Sequence, residues 1–279
     1  MRYVSFEKNG KALLGVRENG VVRTLGEITL EELLAKGTDL STWAGQTKGG
    51  QIEAEDGLKY LPPLRKPAKL LCVGLNFKDH SAESNLPQPD YPSMFLRVNT
   101  SLVAHNAPIV RPRVSDSLDY EGEIAVVLGK GGRHIRKQDA LTHVAGYSLF
   151  NDASVREYQF KTTQWTMGKN FDGTGAFGPE LVTADELPPG IKGLLLETRL
   201  NGKVVQSANT DDMVFDVETL IAVLSEALTL EPGDVIVAGT PAGVGWARNP
   251  KLLMRHGDVC EVSVEGIGTL RNEIVDEAA

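Results

Sequence analysis

Short apolar runs set off by glycine and proline recur along this chain, and they constrain its fold more than any other feature. Residues 70–73, 94–98, 122–128, 145–150, 194–200, 235–238, 259–264 and 269–275 all read as buried strand candidates. Asn201-Gly202 lies between two strand-like runs and marks a hairpin. One clear helix falls near 217–228, where Leu220, Val223, Leu224 and Ala227 share a face. Asp216 is placed to cap it, and Glu231-Pro232-Gly233 stops the chain beyond it. Glycine supplies 29 of 279 residues and proline 14, which suits many turns and argues against a helix bundle. The expected class is α+β, rich in β, with helices at the edge of a rolled or layered sheet.

Residues 1–62 read as a small N-terminal α+β domain and residues 63–279 as a second, larger one. Strands at 1–6 and 12–16 flank Asn9-Gly10, and Asn19-Gly20 repeats the turn signal. A short helix starts at Thr29, with Glu32 placed to complete a capping box, Leu30, Leu33 and Leu34 as its stripe, and Gly37 as its stop. Pro62, Pro63 and Pro67 mark the boundary.

Charge and cysteine content exclude whole classes of partner. Lysine and arginine number 29 against 37 acids, a net charge of −8. That acidity, with no basic run, argues against nucleic acid and against an anionic membrane surface. No apolar run is long enough to span a bilayer, and the first residues lack a signal core. Cys72 and Cys260 form no CxxC pair and sit in apolar runs, which reads as two buried thiols in a cytoplasmic protein.

Five stretches carry candidate chemistry. Asp119-Tyr120-Glu121-Gly122-Glu123 precedes an apolar run, so Glu121 and Glu123 project side by side from the head of a strand. Two adjacent carboxylates repel unless a cation or a proton intervenes, and a hard divalent ion suits the pair; two solvated glutamates are the plain alternative. Asp152, Arg156 and Gln159 stand at i, i+4 and i+7, and on a helix starting at Asp152 they would share one face. His80 and Glu83 are one helical turn apart, so the carboxylate can hold one imidazole nitrogen and leave the other as a base. The same spacing could offer two zinc ligands, although no third nitrogen or sulfur ligand stands out among five histidines. Lys169 lies in a glycine-rich stretch ahead of Gly178-Pro179, where it could neutralise a carboxylate or enolate. The loop Gly239-Thr240-Pro241-Ala242-Gly243-Val244-Gly245 lacks the ending of a P-loop and reads as a pocket wall offering its amides and the Thr240 hydroxyl.

The order His-x-x-Glu, Glu-x-Glu, Asp-x-Ser-x-Arg-x-x-Gln, Gly-Lys and Gly-Thr-Pro-x-Gly-Val-Gly resembles the fumarylacetoacetate hydrolase superfamily over about residues 69–275. The resemblance implies a mixed β-roll catalytic domain, a homodimer, and Mg²⁺ or Mn²⁺ held by Glu121, Glu123 and Asp152. It implies that His80 and Glu83 match the dyad of the acylpyruvase-type branch, and that Arg156, Gln159, Lys169 and Thr240 match substrate-contacting positions. Arg97, in Phe95-Leu96-Arg97, departs from the lysine that the family often carries there, and the N-terminal unit is an addition to its smallest members. The function expected is metal-dependent hydrolysis of a C–C bond in a 2,4-dioxo acid such as fumarylpyruvate or maleylpyruvate, giving pyruvate and a carboxylic acid. Decarboxylation of an oxaloacetate-type acid, isomerisation of a 2-hydroxymuconate-type acid and non-catalytic binding of small acids are the alternatives. Residues 76–92, polar and marked by proline, are expected to close over substrate as a lid.

Overall fold

The computed structural model describes residues 1–47, 49–83 and 88–278, with the side chains of Ser81 and Ala82 left aside. It is strand-rich α+β. Among the described residues a twelve-stranded mixed sheet runs in the order Ile52–Ala54, Val21–Gly26, Lys11–Glu18, Arg2–Lys8, Gly175–Thr183, Val144–Asp152, Gly122–Leu128, Val235–Val237, Leu70–Gly74, Ser93–Leu96, with two further strands pairing off this path. A five-stranded sheet, Lys203–Asn209, Leu195–Leu200, Val259–Val264, Gly268–Asp276 and Ile109–Arg111, packs against it.

The central strand Gly122–Leu128 shows why its sequence is continuously apolar from Ile124 on. Ile124, Val126 and Leu128 enter the core shared with Leu196, Val262, Leu270 and Ile274 of the smaller sheet. Ala125 and Val127 face the other way, into a cluster with Leu30, Leu33, Leu34 and Phe177. Both faces of the strand are covered, so period-two alternation disappears. The helix Val217–Ala227 closes one side of the first core with Leu220, Ile221 and Leu224, and Asp216 caps it through the Thr219 amide at 2.9 Å. Each such buried side chain contributes about 2 kcal/mol. The capping box at Thr29 and Glu32 forms in both directions.

Residues 1–62 are hydrogen-bonded into the large sheet. Arg2 pairs with Val182 and Tyr3 with Leu181 on Gly175–Thr183. That partner strand is the main element the sequence reading passed over. Its glycines and Pro179 break the apolar pattern of a strand, yet all nine of its residues are buried. Buried Glu180 is held there by Arg2 at 2.8 Å and Arg17 at 2.7 Å. Both cysteines are buried, and among the described residues no helix is long and apolar enough to cross a membrane.

Candidate active site

Strand register brings the acids together. Gly122 pairs with Asn151 and Glu123 with Phe150, so the head of one strand lies beside the end of the next. The Asp152 amide donates to the Glu121 carbonyl at 2.8 Å. One carboxylate oxygen from each of Glu121, Glu123 and Asp152 therefore lies within 4.8 Å of the others, all three residues buried. The helical arrangement read from the sequence does not form. The strand runs on through Asp152, Ser154-Val155 pairs with Leu118-Asp119, and the helix begins only at Arg156. Arg156 still meets the acids and Gln159 meets Arg156, by way of that short helix rather than a shared i, i+4, i+7 face.

Three cations sit among these acids. The Lys169 ammonium donates to Glu121 Oε2 and Asp152 Oδ2, each at 2.6 Å. Arg156 reaches Glu121 Oε1 at 2.6 Å and Asp119 Oδ2 at 2.8 Å, and donates to Gln159 Oε1 at 2.8 Å. Arg97 pairs with Asp152 Oδ1 and donates to Thr174 Oγ1 at 2.7 Å and Ser101 Oγ at 3.2 Å. With Asp119, the group holds four carboxylates and three cations, a formal charge of −4 + 3 = −1. The shortfall falls on Glu123. Among the described residues it accepts only the Gly239 amide, at 2.6 Å, and no cation pairs with it. Burial, then Asp152 and Glu121, push its carboxyl well above the usual range. Burial also acts on Glu121, but Lys169 and Arg156 outweigh it and hold that carboxyl low.

The loop after Val235–Val237 spends its amides on carboxylates. Gly239 serves Glu123, Gly243 serves Glu83 at 2.9 Å, and Gly245 and Trp246 serve Asp119 at 2.8 and 2.9 Å. The Thr240 hydroxyl donates to the Gly122 carbonyl at 3.0 Å and accepts from Gln206 at 2.8 Å. Asp119 and Arg97 are the buried partners that sequence reasoning did not assign. The signal for Asp119 was its place in the same Asp-Tyr-Glu-Gly-Glu run.

These groups surround a cavity of about 390 Å³, at the small end for ligand sites. His80, Glu83, Glu121, Glu123, Arg156, Gln159, Lys169 and Thr240 line it, and Asp152 lies buried beneath. His80 and Glu83 share the helix Lys78–Glu83, with Nδ1 3.7 Å from Glu83 Oε2, longer than a hydrogen bond. Of residues 76–92, those numbered 84–87 lie outside the described residues. The rest of the lining is apolar: Leu75, Phe95, Phe160, Trp165, Val244 and Trp246. Gly74 is required there, because a Cβ on it would lie 2.2 Å from the Trp165 ring.

Fold and cavity together define a class of strand-rich α+β enzyme built around a buried acidic cluster. Residues 69–275 match the family model described as fumarylacetoacetate (FAA) hydrolase C-terminal, and the chain belongs to the fumarylacetoacetate hydrolase family. It is 39% identical over 253 residues to the human mitochondrial oxaloacetate tautomerase FAHD2A, covering 88% of this chain and 80% of that protein. A fumarylacetoacetate hydrolase from Exiguobacterium antarcticum superposes with a TM-score of 0.86 at 36% identity, covering 99% of this chain and all of that one (100%). A 2-hydroxyhepta-2,4-diene-1,7-dioate isomerase from Mycobacterium marinum superposes at 0.81 with 30% identity and 100% coverage of both chains.

Proposed function

We propose that this chain is a divalent-cation-dependent enzyme of 2-keto acids that works through an enolate, and that its overall reaction is hydrolysis of a 2,4-dioxo acid. One observation carries the reading: the buried carboxylates of Glu121, Glu123 and Asp152 meet within 4.8 Å under a cavity lined by His80 and Glu83. These three residues would hold the cation. An all-carboxylate donor set suits Mg²⁺ or Mn²⁺, and the uncompensated Glu123 supplies the charge deficit that such an ion meets. When bound, the ion supplies Lewis-acid charge and a docking point for the oxygens of the 2-keto acid head.

The chain's own groups do the proton work. His80 takes a proton from the water that attacks the 4-carbonyl. The C3–C4 bond breaks, its electron pair goes to C3 of the departing pyruvate enolate, and the imidazolium returns its proton to that carbon. Glu83, fixed by the Gly243 amide, stabilises the imidazolium. Lys169 and Arg156 offset the negative charge gathering at the cavity floor. Because Gln159 Oε1 accepts from Arg156, its NH₂ is the end left to donate toward the oxyanion. The same reading makes the working unit a homodimer in the cytoplasm, and light scattering tests the dimer.

A second reading is keto–enol tautomerisation of an oxaloacetate-type acid. The 3.7 Å gap between His80 and Glu83 favours it, since an imidazole not locked by its carboxylate can shuttle a proton directly between carbon and oxygen. The human relative named as an oxaloacetate tautomerase favours it as well. Ultraviolet absorbance over a panel of acylpyruvates and oxaloacetate, with and without Mn²⁺, separates the two. Mn²⁺-dependent loss of the acylpyruvate enol band with stoichiometric pyruvate is expected. Decay of the oxaloacetate enol without pyruvate would establish the tautomerase instead, and inert substrates throughout would refute both.

A further inference from the structure

We infer that the part of the substrate beyond its 2-keto acid head is uncharged, an aryl or alkyl group; this rests on the reading of the head given above. Every fixed cation lining the cavity is already committed. Arg156 is held by Asp119 and Glu121, and Lys169 by Glu121 and Asp152. The one other basic group lining it is His80, beside the anionic Glu83. A divalent ion on the floor would change the formal charge from −1 to +1, enough for one substrate carboxylate. A second carboxylate would enter a space with no unpaired cation among the described lining residues, at the desolvation cost of an uncompensated charge. The residues between Glu83 and Gln88 are Ser, Asn, Leu and Pro by sequence and add no cation.

The remaining lining favours an apolar tail. Phe160 and Trp246 lie tilted by 40° with centroids 6.1 Å apart, and Trp165 and Phe95 meet edge to face at 5.8 Å. Phe160 is 55% exposed, a large ring held at the cavity with little role in the core. Rings so arranged offer faces and edges to an aryl group. The cations adjoining Trp246 do not line the cavity. Lys251 lies over the Trp246 ring at 3.0 Å, and Arg248 donates to the carbonyls of Gly243 and Val205.

The test compares benzoylpyruvate, acetylpyruvate and fumarylpyruvate on the Mn²⁺-loaded chain, scoring loss of the enol band by either route. Oxalate binding, followed by calorimetry, reports on the head alone. The expected result is a kcat/KM for benzoylpyruvate at least tenfold above that for fumarylpyruvate. Phe160→Arg should narrow that ratio tenfold or more by lowering KM for fumarylpyruvate. Equal or better use of fumarylpyruvate by the parent chain overturns the uncharged tail while leaving the head reading intact. An unchanged ratio in Phe160→Arg also overturns it. If no compound is processed and oxalate does not bind, the head reading fails and takes the tail with it.

Discussion

Replacing Arg97 by methionine isolates the charge that holds Asp152. Both side chains are fully buried (0% exposed). Removing one partner of a buried ion pair costs roughly 3–5 kcal/mol, because the other charge stays behind. Asp152 keeps Lys169 at 2.6 Å, which places the cost at the lower end. Losing the donors to Thr174 and Ser101 adds to it, so the expected loss is about 3–4 kcal/mol, roughly a hundredfold or more in the folded-to-unfolded ratio. Arg97→Lys keeps the charge, but one ammonium cannot span Asp152, Thr174 and Ser101 as the planar fork does, so about 1–2 kcal/mol is expected. Urea denaturation of the metal-free protein, followed by far-ultraviolet circular dichroism, reads both variants. If Arg97→Met unfolds within about 1 kcal/mol of the parent, the guanidinium is not what makes a buried Asp152 tolerable, and the charge reasoning for the whole floor fails with it.

Further outcomes follow from the same geometry. His80→Ala should lower turnover by roughly 10²–10⁴-fold with the denaturation midpoint unmoved, and a near-parental rate would remove the base. Saturating Mn²⁺ should raise stability by about 2.7 kcal/mol at a hundredfold excess over Kd; in Glu123→Gln that gain should vanish while the metal-free protein becomes more stable, both read by thermal shift. Asp216→Ala removes the cap of Val217–Ala227 and should cost about 1 kcal/mol, a Tm drop of about 2–4 °C. Burial raises the Asp216 carboxyl, but the Thr219 and Lys137 contacts outweigh it and leave it below its ordinary 3.8. Its ionised contribution is therefore complete above that value and lost as pH falls through the folded pKa, so the Tm gap should close below about pH 3.8. Gly168→Ala would set a Cβ 2.3 Å from the Gln159 amide nitrogen, costing about 1–3 kcal/mol and reducing turnover by displacing Gln159 and Lys169 together.

How far the sequence could be read depended on whether a signal was local. The Thr29 capping box and the Asp216 cap are set within a few residues and form as read, while the last helix buries Leu220 and Leu224 of its expected stripe but turns Ile221 inward in place of Val223 and Ala227. Glu121 and Glu123 were legible because strand alternation alone puts them side by side. The mode by which Asp152 joins them was not. Strand pairing at Gly122–Asn151 and Ser154–Asp119 keeps that stretch extended, and such pairing is decided by partners far along the chain. The strand Gly175–Thr183 was hidden for a related reason. Its Gly, Pro and Glu look like loop chemistry until Arg2 and Arg17, from the other end of the sequence, neutralise Glu180 inside the sheet. Arg97 was visible only as an unexpected residue type, since nothing nearby in sequence announces Asp152 as its partner.

The pairing of Arg2–Lys8 with Gly175–Thr183 reaches beyond simple attachment. It covers Leu181 and Val182, one end of an inner strand whose other end is paired by Leu102–Ala104, and unpaired amides and carbonyls there would template association with another chain. The strand Arg2–Lys8 thus covers an edge that would otherwise favour association, and solubility, more than turnover, is the property most exposed to its loss.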